Sequence, residues 1–319
     1  MADCASTALP VACSMTNMHS SRALGSTGAA RGIRFAILAT TVFAIQDGVS
    51  KHLAESYPVP FFVMIRYWFF LAFVLALAAR APGGIRGAAS SRMPFLNMVR
   101  GVLLVLQILV IVTSFDLIGL STTHAIFALH PLLATLLAVP VLGEVVGWRR
   151  LAAVGTGFLG VLVIMRPGLG VFDPPVLIAV LSAFMFATYT VLTRLTSRAD
   201  GSANPAFFYT GVAGAAAATV AGMGYWVPMT AIDYGWLLVL CISGMVGHYL
   251  LIRALDATEA VRVQPFVYLQ MVFGTIVGWL IFGEHVDALT ILGMGMIIGA
   301  GLYAIWREIY VTGVKPRTR

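Results

Sequence analysis

The sequence predicts an all-α integral membrane protein with ten transmembrane helices, arranged as two halves of five helices in opposite orientations. Three observations carry this prediction: an apolar composition, ten apolar segments of membrane-crossing length, and a repeat between the two halves. Of the 319 residues, 60% are hydrophobic and only 10% are charged. Soluble domains carry about 25% charged residues, so the composition excludes a soluble globular protein.

The ten apolar segments are separated by proline, glycine and charged residues. A bilayer core about 30 Å thick needs about 20 helical residues to cross it. Residues 96–142 and 235–282 are each divided into two segments, because a helix of about 47 residues is too long for one crossing. The predicted spans are 33–54, 59–79, 96–117, 120–142, 150–166, 175–196, 205–226, 235–255, 260–282 and 288–306.

Outside the spans, the chain offers little for a folded domain. Residues 1–32 lack a long apolar run and are rich in alanine, serine and threonine, so we expect a disordered cytosolic tail and not a signal peptide. Residues 308–319 form a basic tail. The three cysteines, Cys4, Cys13 and Cys241, show neither paired nor metal-ligand spacing. The sequence therefore predicts no disulfide framework, no metal site and no cofactor.

Basic residues set the expected orientation, because lysine and arginine collect in cytosolic loops. With the N-terminus inside, all of the 20 basic residues except Lys51, Arg66 and Arg166 fall at cytosolic ends of the predicted spans. The net charge of +7 then reflects membrane topology and calls for no nucleic-acid partner. We expect a multi-pass protein of the cytoplasmic membrane, embedded in lipid, with both termini cytosolic.

The two halves repeat one another. At an offset of 140, "SFDLIGLSTTHAIFALHPLLATLLAVPVLGE" (114–144) aligns without a gap with "ALDATEAVRVQPFVYLQMVFGTIVGWLIFGE" (254–284). This alignment pairs His130 with Gln270, and the Gly-Glu pair at 143–144 with the one at 283–284. Earlier in the halves, "FAIQDGVSK" (43–51) matches "FATYTVLTR" (186–194). Since each half has an odd number of spans, the second half must enter the membrane inverted.

Inverted repeats are the architecture of alternating-access carriers, which bind substrate near the membrane midplane between the halves. The predicted partner is therefore a small-molecule substrate. No nucleotide-binding motif is present, so energy would come from a coupling proton or from an exchange substrate. A membrane enzyme and a channel or sensor are the alternatives. The six histidines lack metal-ligand spacing, and nothing resembles a selectivity filter or a signalling domain.

Motifs in both halves resemble the two EamA repeats of the drug/metabolite transporter superfamily. They are the two Gly-Glu pairs, Pro131 ahead of the first pair, and the glycine-rich "GTGFLG" (155–160) and "GMGMIIGAG" (293–301). The resemblance covers 33–307 and implies repeats at 33–168 and 175–307. It implies a secondary transporter of a small organic metabolite, such as a vitamin, a nucleoside-like compound or an amino-acid derivative, and no enzymatic activity.

Within that superfamily, the chain is similar to the branch that contains S-adenosylmethionine and riboflavin uptake proteins. The similarity rests on "VRGVLL" (99–104), "AAVGTGFLGVLVIMRPG" (152–168) and "LDATEAVRVQPFVYLQMV" (255–272), together with Asp47, Lys51 and Arg66. The chain departs from the branch at Gln270, where a carboxylate is expected, and at Met271, which replaces a proline.

Three charged residues lie inside predicted spans. Asp47 and Lys51 share one helical face, and Arg66 lies at a similar depth in the next span, so the three can compensate one another. We expect this cluster near the outer side, as part of a substrate site or gate. A purely structural ion network between the first two spans stays open as an alternative, as does a Lys51 side chain that only reaches for the membrane surface.

His130 and Gln270 occupy matched positions near the midplane and are predicted to line a central site. Pro131 removes a helical hydrogen bond and leaves the carbonyl of Phe127 as an acceptor for ligand or water. The alternative for the pair is ordinary hydrogen bonding between helices.

Further polar and aromatic residues in the spans are candidate substrate contacts or, alternatively, packing and interface anchors. They are Gln46, Trp68, Gln107, Tyr189, His248, Tyr249 and Tyr268. Glu144 and Glu284 end helices, where capping or loop pairing explains them. The spacing of Gly295 and Gly299 permits close helix contact and marks a candidate homodimer face.

Overall fold

The computed structural model describes residues 11–81, 83–143, 148–165, 174–202, 204–257 and 260–307. The described residues contain twelve α-helices, one 3₁₀ turn and no strand. The helices are α1 (Val11–Ala54), α2 (Val59–Arg80), α3 (Gly84–Ala89), α4 (Pro94–Ile118), α5 (Leu120–Phe127), α6 (His130–Leu142), α7 (Trp148–Met165), α8 (Pro174–Asp200), α9 (Asn204–Gly222), α10 (Ala231–Ala257), α11 (Ala260–Phe282) and α12 (Ala288–Arg307).

These helices confirm the ten predicted spans. Seven helical segments of the described chain are long and apolar enough to cross a membrane, and three shorter apolar helices lie in α7, α11 and α12. The first segment is the Arg31–Ala54 part of α1, and the fourth consists of α5 and α6 together. Helix α3 is a six-residue helix between the second and third spans.

The N-terminal segment differs from the prediction. Residues 11–32 were expected to be disordered, but α1 begins at Val11 and runs unbroken into the apolar segment. The chain contains no proline between Pro10 and Pro58, so no residue there removes a helical hydrogen bond or clashes with the preceding turn.

Helix breaks lie at both ends of α5: one precedes the fourth span and the other interrupts it. Gly119, with a φ of 82°, separates α4 from α5, and Ala128 and Leu129 separate α5 from α6. A positive φ is the conformation that glycine adopts most readily, and Pro131 in the first turn of α6 cannot donate a backbone hydrogen bond. The sequence therefore places two helix ends, with their unpaired backbone groups, inside the bundle.

The closest-packed helix pairs join the first half, α1–α7, to the second half, α8–α12. They are α1 with α10 and α11, α4 with α8 and α9, α2 with α9, α6 with α8, and α7 with α12. Exchanging equivalent spans of the two halves maps these contacts onto contacts that are also present: α1–α10 corresponds to α8–α4, α1–α11 to α8–α6, and α4–α9 to α10–α2. This exchange is the signature of two repeats related by a pseudo-two-fold axis.

Glycines allow the closest approach between α7 and α12. A Cβ on Gly160 would lie 2.7 Å from the carbonyl oxygen of Gly293, and one on Gly293 would lie 2.5 Å from that of Gly160. Gly295 and Gly299, which were predicted to allow close helix contact, are exposed and have no atom within 4 Å of an added Cβ. They face away from the partner helix because they lie on the opposite side of α12.

Candidate functional site

Helix α1 carries three polar side chains into the interface between the halves: Gln46, Asp47 and Lys51. All three are buried. Asp47 points toward α11 and α5, where Gln270 Nε2 donates a 2.8 Å hydrogen bond to its Oδ2 atom. His124 Nε2 lies 3.4 Å from the same oxygen. One carboxylate of the first half is therefore held by an amide of the second half.

Lys51 pairs with Glu284, which lies in the loop after α11. The Glu284 carboxylate also accepts hydrogen bonds from the backbone N–H groups of Leu120 (2.7 Å) and Ser121 (2.8 Å), at the N-terminus of α5. Glutamate there satisfies unpaired N–H groups and complements the helix dipole. We call this set, Lys51 with Glu284 on the first turn of α5, the Lys51 latch; it joins the second half to the first.

The environment of Glu284 fixes its charge. Burial alone would raise the pKa of this carboxyl, but the hydrogen bonds from Lys51, Ser121 and Leu120 outweigh burial and lower the pKa below its ordinary value. Two glycines make room for the carboxylate. A Cβ on Gly119 would lie 2.9 Å from Oε1, and one on Gly278 would lie 2.6 Å from Oε2.

These contacts correct the predicted cluster of Asp47, Lys51 and Arg66. Lys51 was expected to be compensated by its neighbours in the first two spans, but its partner is Glu284 of the opposite half. The prediction considered only the two helices that are adjacent in sequence, whereas the loop after α11 reaches the same end of the bundle. Arg66 and Asp47 do interact electrostatically, but no nitrogen–oxygen distance within 4 Å joins them among the described residues.

Arg66 instead lines a cavity between α2 and α10. Its walls also contain Tyr67, Phe70, Leu104, Thr210, Cys241, Gly244, Met245 and His248. The cavity is small, with a volume of about 10 Å³, which is about the space that one water molecule needs. The predicted candidates Arg66 and His248 therefore meet at one cavity, with Gln46 beside them over Gly244.

His130 and Gln270 do not meet in the described structure. The His130 ring packs between Phe127, at 4.7 Å between centroids, and Phe186, at 4.9 Å. Its Nδ1 atom lies 2.9 Å from the carbonyl oxygen of Phe127. Pro131 was predicted to leave the carbonyl oxygen of Phe127 free for ligand or water. The His130 ring occupies this oxygen instead, because the turn between α5 and α6 places the ring beside it.

The other predicted contacts separate into packing and surface positions. Gln107 donates a 2.9 Å hydrogen bond to Ser182, and Tyr268 is buried against Gly301 of α12. Trp68 donates to Thr219 with 41% of the residue exposed, and Tyr249 is 42% exposed. Both face away from the bundle. Glu144 lies outside the described residues.

Tyr189 lies in a group of polar residues at the end of the bundle opposite Lys51. The prediction included Tyr189 but missed this group. The Arg100 guanidinium lies 5.1 Å from the centre of the Tyr189 ring. It donates to Thr193 (2.9 Å), to Thr210 (2.7 Å) and to the carbonyl of Ala206. Arg100 was assigned to a cytosolic helix end; it is the fifth residue of the predicted span 96–117 and lies in "VRGVLL" (99–104).

Near Arg100, Asp200 at the end of α8 accepts hydrogen bonds from the first half. They come from the Ser91 hydroxyl (2.9 Å) and the Arg92 backbone N–H (2.6 Å). We call the two ends of the bundle the Lys51 end and the Arg100 end. In the described structure, contacts between the halves close both.

His124 was also missed. Its ring stacks on Phe115 at 5.5 Å between centroids and lies beside Asp47. A Cβ on Gly274 would lie 2.7 Å from its Nε2 atom, so only glycine leaves room for the ring. The alignment of the two halves pairs His124 with Gln264, and this matched polar pair indicated a position of interest. Residue spacing alone did not show which neighbours the His124 ring contacts.

Comparisons with known proteins agree with this fold. A protein of known crystal structure superposes with a TM-score of 0.60 at 17% identity, covering 91% of this chain and 99% of that one. Its likeness supports the fold alone. Among curated relatives, the S-adenosylmethionine uptake transporter of Rickettsia prowazekii is 28% identical and covers 87% of this chain and 93% of its own.

Two further relatives carry other substrates in their names. The pseudopaline exporter of Pseudomonas aeruginosa is 28% identical over 84% of this chain and 94% of its own. The riboflavin transporter of Rhizobium johnstonii is 25% identical over 87% of this chain and 92% of its own. These relatives are transporters of small metabolites and not enzymes. The model of the EamA-like transporter family matches residues 30–166 and 174–306, one match in each half, so the chain belongs to that family.

Proposed function

We propose that this protein is a secondary transporter that moves a small organic metabolite across the cytoplasmic membrane by alternating access, with both termini in the cytosol. One observation carries the proposal. Helix α1 brings Gln46 and Asp47 into the interface between the halves, where they meet Arg66, Gln270 and other polar side chains from α2, α5, α10 and α11. A polar chamber between inverted repeats is the expected location of a carrier's substrate site.

The relatives bound the substrate class. Their names point to S-adenosylmethionine, pseudopaline and riboflavin, which fits a vitamin, a nucleoside-like compound or an amino-acid derivative. Energy would come from a proton gradient or from exchange with a second substrate. Asp47 is the candidate proton carrier, because it is a buried carboxylate between the halves, where Gln270 donates a hydrogen bond to it and the His124 imidazole lies 3.4 Å away.

The two closed ends supply the gates. The Lys51 latch is the proposed outer gate, because opening that end requires Glu284 to leave both Lys51 and the first turn of α5. Arg100 and Asp200 form the proposed inner gate. With both ends closed, the arrangement supports an occluded state, from which the halves rock to either side.

A homodimer stays a prediction. Gly295 and Gly299 lie on the exposed face of α12 with open space around them, where a second copy can approach closely. Crosslinking of single cysteines at these positions in membranes tests it, and crosslinks at neither position would reject this face.

Counterflow into liposomes tests transport. Purified protein is reconstituted into vesicles loaded with unlabelled S-adenosylmethionine, and uptake of external labelled compound is followed, with separate arms for riboflavin and for amino acids. A carrier shows saturable uptake that requires internal substrate, whereas a channel does not. Absence of counterflow in every arm would contradict the proposal.

A reversible lock tests the outer gate. Cysteines replace Lys51 and Glu284 in a background of Cys4→Ser, Cys13→Ser and Cys241→Ser, and a short reducible bifunctional thiol reagent joins them. We expect crosslinking to stop counterflow and reduction to restore it. The two single-cysteine variants, treated identically, are the controls. Undiminished counterflow in the crosslinked protein would reject this gate.

A further inference from the structure

Arg66 is a buried cation without an acidic partner of its own. The residue is 6% exposed, and the described residues provide it with no hydrogen bond and no carboxylate within 4 Å. A buried charge is costly unless it is paired and hydrogen-bonded. Among the described residues, two other cations are buried in the spans: Lys51 pairs with Glu284, and Arg100 donates to three acceptors through its two terminal nitrogens, while its Nε atom has no partner. Of these three cations, Arg66 is the one that lines this cavity.

Gln46 adds a second unsatisfied polar group at the same place. Its residue is 6% exposed, and its Oε1 atom is buried without a hydrogen-bond partner. Both side chains lie over Gly244, where an added Cβ would be 2.9 Å from Arg66 Nε and 3.3 Å from Gln46 Oε1. An amide can present either its oxygen or its NH₂ group after a 180° rotation. A guanidinium with an amide beside it matches the acceptors of a carboxylate.

Asp47, the next residue on α1, provides the opposite charge. Gln270 donates a hydrogen bond to it on the side of α11, and His124 lies 3.4 Å from it on the side of α5, while Gln46 and Arg66 both lie beside Gly244. No nitrogen–oxygen distance within 4 Å joins Asp47 to Arg66 among the described residues. The interface between the halves therefore holds one positive and one negative group at separate positions: Arg66 lines the cavity, and Asp47 lies outside its lining.

The charges of Arg66 and Asp47 indicate which kind of ligand fits between them. A substrate that is only an anion would leave two negative charges facing Arg66, and one that is only a cation would leave two positive charges facing Asp47. A zwitterion adds one partner to each group and leaves the total unchanged. Phe70, Tyr67 and His248 line the cavity beside Arg66 and offer apolar and aromatic contacts.

We propose that the substrate is recognised through an amino-carboxylate group, with its carboxylate bound by Arg66 and Gln46 and its ammonium bound by Asp47. This inference rests on the proposed transport function and narrows its substrate class. The remainder of the substrate occupies the aromatic side of the cavity after the halves separate, since the closed cavity is narrow. A neutral flavin lacks both groups and is the wrong class for this site.

Protection of Cys241 tests the inference directly, because its thiol lies in the cavity wall beside Arg66. In the Cys4→Ser and Cys13→Ser background, only Cys241 can react with N-ethylmaleimide. The probes are L-methionine and S-adenosylmethionine, each compared with its analogue lacking the carboxylate and its analogue lacking the amino group, and riboflavin. We expect the intact zwitterions to protect, and each missing group to weaken protection about tenfold or more, as for loss of a charge-assisted hydrogen bond.

Complementary variants separate recognition from structure. Arg66→Met is expected to remove the discrimination between carboxylate and carboxamide while keeping that for the ammonium; Asp47→Asn is expected to do the reverse. Arg66→Lys retains charge and regains part of the carboxylate preference. Trp68→Phe, on the outer surface, is the matched control, and the melting temperature of each variant checks folding. Variants that lower all affinities equally would overturn the inference.

The outcomes distinguish this inference from the proposed function. Counterflow of riboflavin with equal protection by compounds lacking either group would overturn the amino-carboxylate inference and leave transport standing. Failure of every probe both to protect Cys241 and to show counterflow would count against both. Counterflow and protection that need both groups would establish both.

Discussion

The Lys51 end and the Arg100 end both join the two halves, but by different chemistry. At the Lys51 end, a lysine of the first half and a glutamate of the second form an ion pair that also caps α5. At the Arg100 end, a buried arginine donates only to neutral oxygens of α8 and α9. Removing either Lys51 or Glu284 leaves a buried charge unpaired at the first end, whereas removing Arg100 leaves only its neutral acceptors at the second.

The comparison shows that the Lys51 end, unlike the Arg100 end, depends on a matched pair of opposite charges. The Lys51 end requires both charges at once, because either alone is costly in a buried place. At the Arg100 end, the hydroxyls of Thr193 and Thr210 also donate to carbonyls of their own helices, at 2.6 and 2.7 Å. They keep partners when Arg100 is absent. We therefore expect the two ends to respond unequally to equivalent substitutions.

The largest effect is expected from Glu284→Gln. It leaves Lys51 with an uncharged partner at a site where the lysine side chain is 10% exposed. The free energy of unfolding should fall by about 3 kcal/mol, measured by denaturant-induced unfolding in micelles. The double variant Lys51→Met with Glu284→Gln should regain at least half of that loss. Additive losses would show that the two side chains do not act as a pair.

Gly119→Ala tests the same end through its backbone. The residue has a φ of 82°, and an added Cβ would lie 2.9 Å from Glu284 Oε1. We expect a loss of about 2 kcal/mol in unfolding free energy from backbone strain and displacement of the carboxylate. Gly155→Ala is the control, because an added Cβ there has no atom within 4 Å. Equal effects of the two changes would contradict the proposed crowding at Glu284.

Arg100→Met tests the comparison at the Arg100 end. It removes three hydrogen bonds but leaves no buried acid unpaired, so we expect a loss of about 1–2 kcal/mol, smaller than that of Glu284→Gln. The same unfolding measurement decides the order. If Arg100→Met were the more damaging of the two, the contrast between charged and neutral closure would be wrong.

The pH dependence provides a smaller, continuous test. Because the pKa of Glu284 is lowered in the folded protein, its contribution is complete above the unfolded-state pKa of about 4.3 and is lost as the pH falls through the lowered value. The difference in melting temperature between the wild type and Glu284→Gln should therefore be constant from pH 8 to 5 and shrink below about pH 4. A difference that already shrinks between pH 7 and 6 would contradict the lowered pKa.

Trp68→Phe is expected to have the smallest effect. It removes the 2.8 Å hydrogen bond to Thr219 on the outer surface, and such bonds between membrane helices contribute about 0.6 kcal/mol on average. Melting temperature and counterflow should both stay close to those of the wild type. A large loss of counterflow would place Trp68 in the transport path and invalidate its use as a control.

The sequence predicted the fold well, because a membrane span is recognised by the length and the apolar composition of its segment. The ten spans and the division at Gly119 followed from these properties. The helical start at Val11 did not, because composition alone does not distinguish a polar helix extending from a span from a disordered tail.

The site was predicted less completely. Asp47, Gln46, Arg66, His248 and Gln270 do lie together along the interface between the halves, but His130 lies in an aromatic cluster and Trp68 faces outward. His124 and Arg100 were missed. A polar residue in an apolar helix must find a partner, but a sequence does not state which neighbouring helix supplies it.

What the sequence by itself determined was the repeat, the number of spans and the set of costly buried charges, since each follows from hydrophobicity and spacing along one chain. Only the tertiary structure decided the contacts: Lys51 with Glu284 across 233 residues, Asp47 with Gln270, and Arg66 with the cavity that it lines beside α10. The physical reason is that the closest helix contacts run between the halves. Charge compensation therefore depends on how the second repeat packs against the first, which no local pattern specifies.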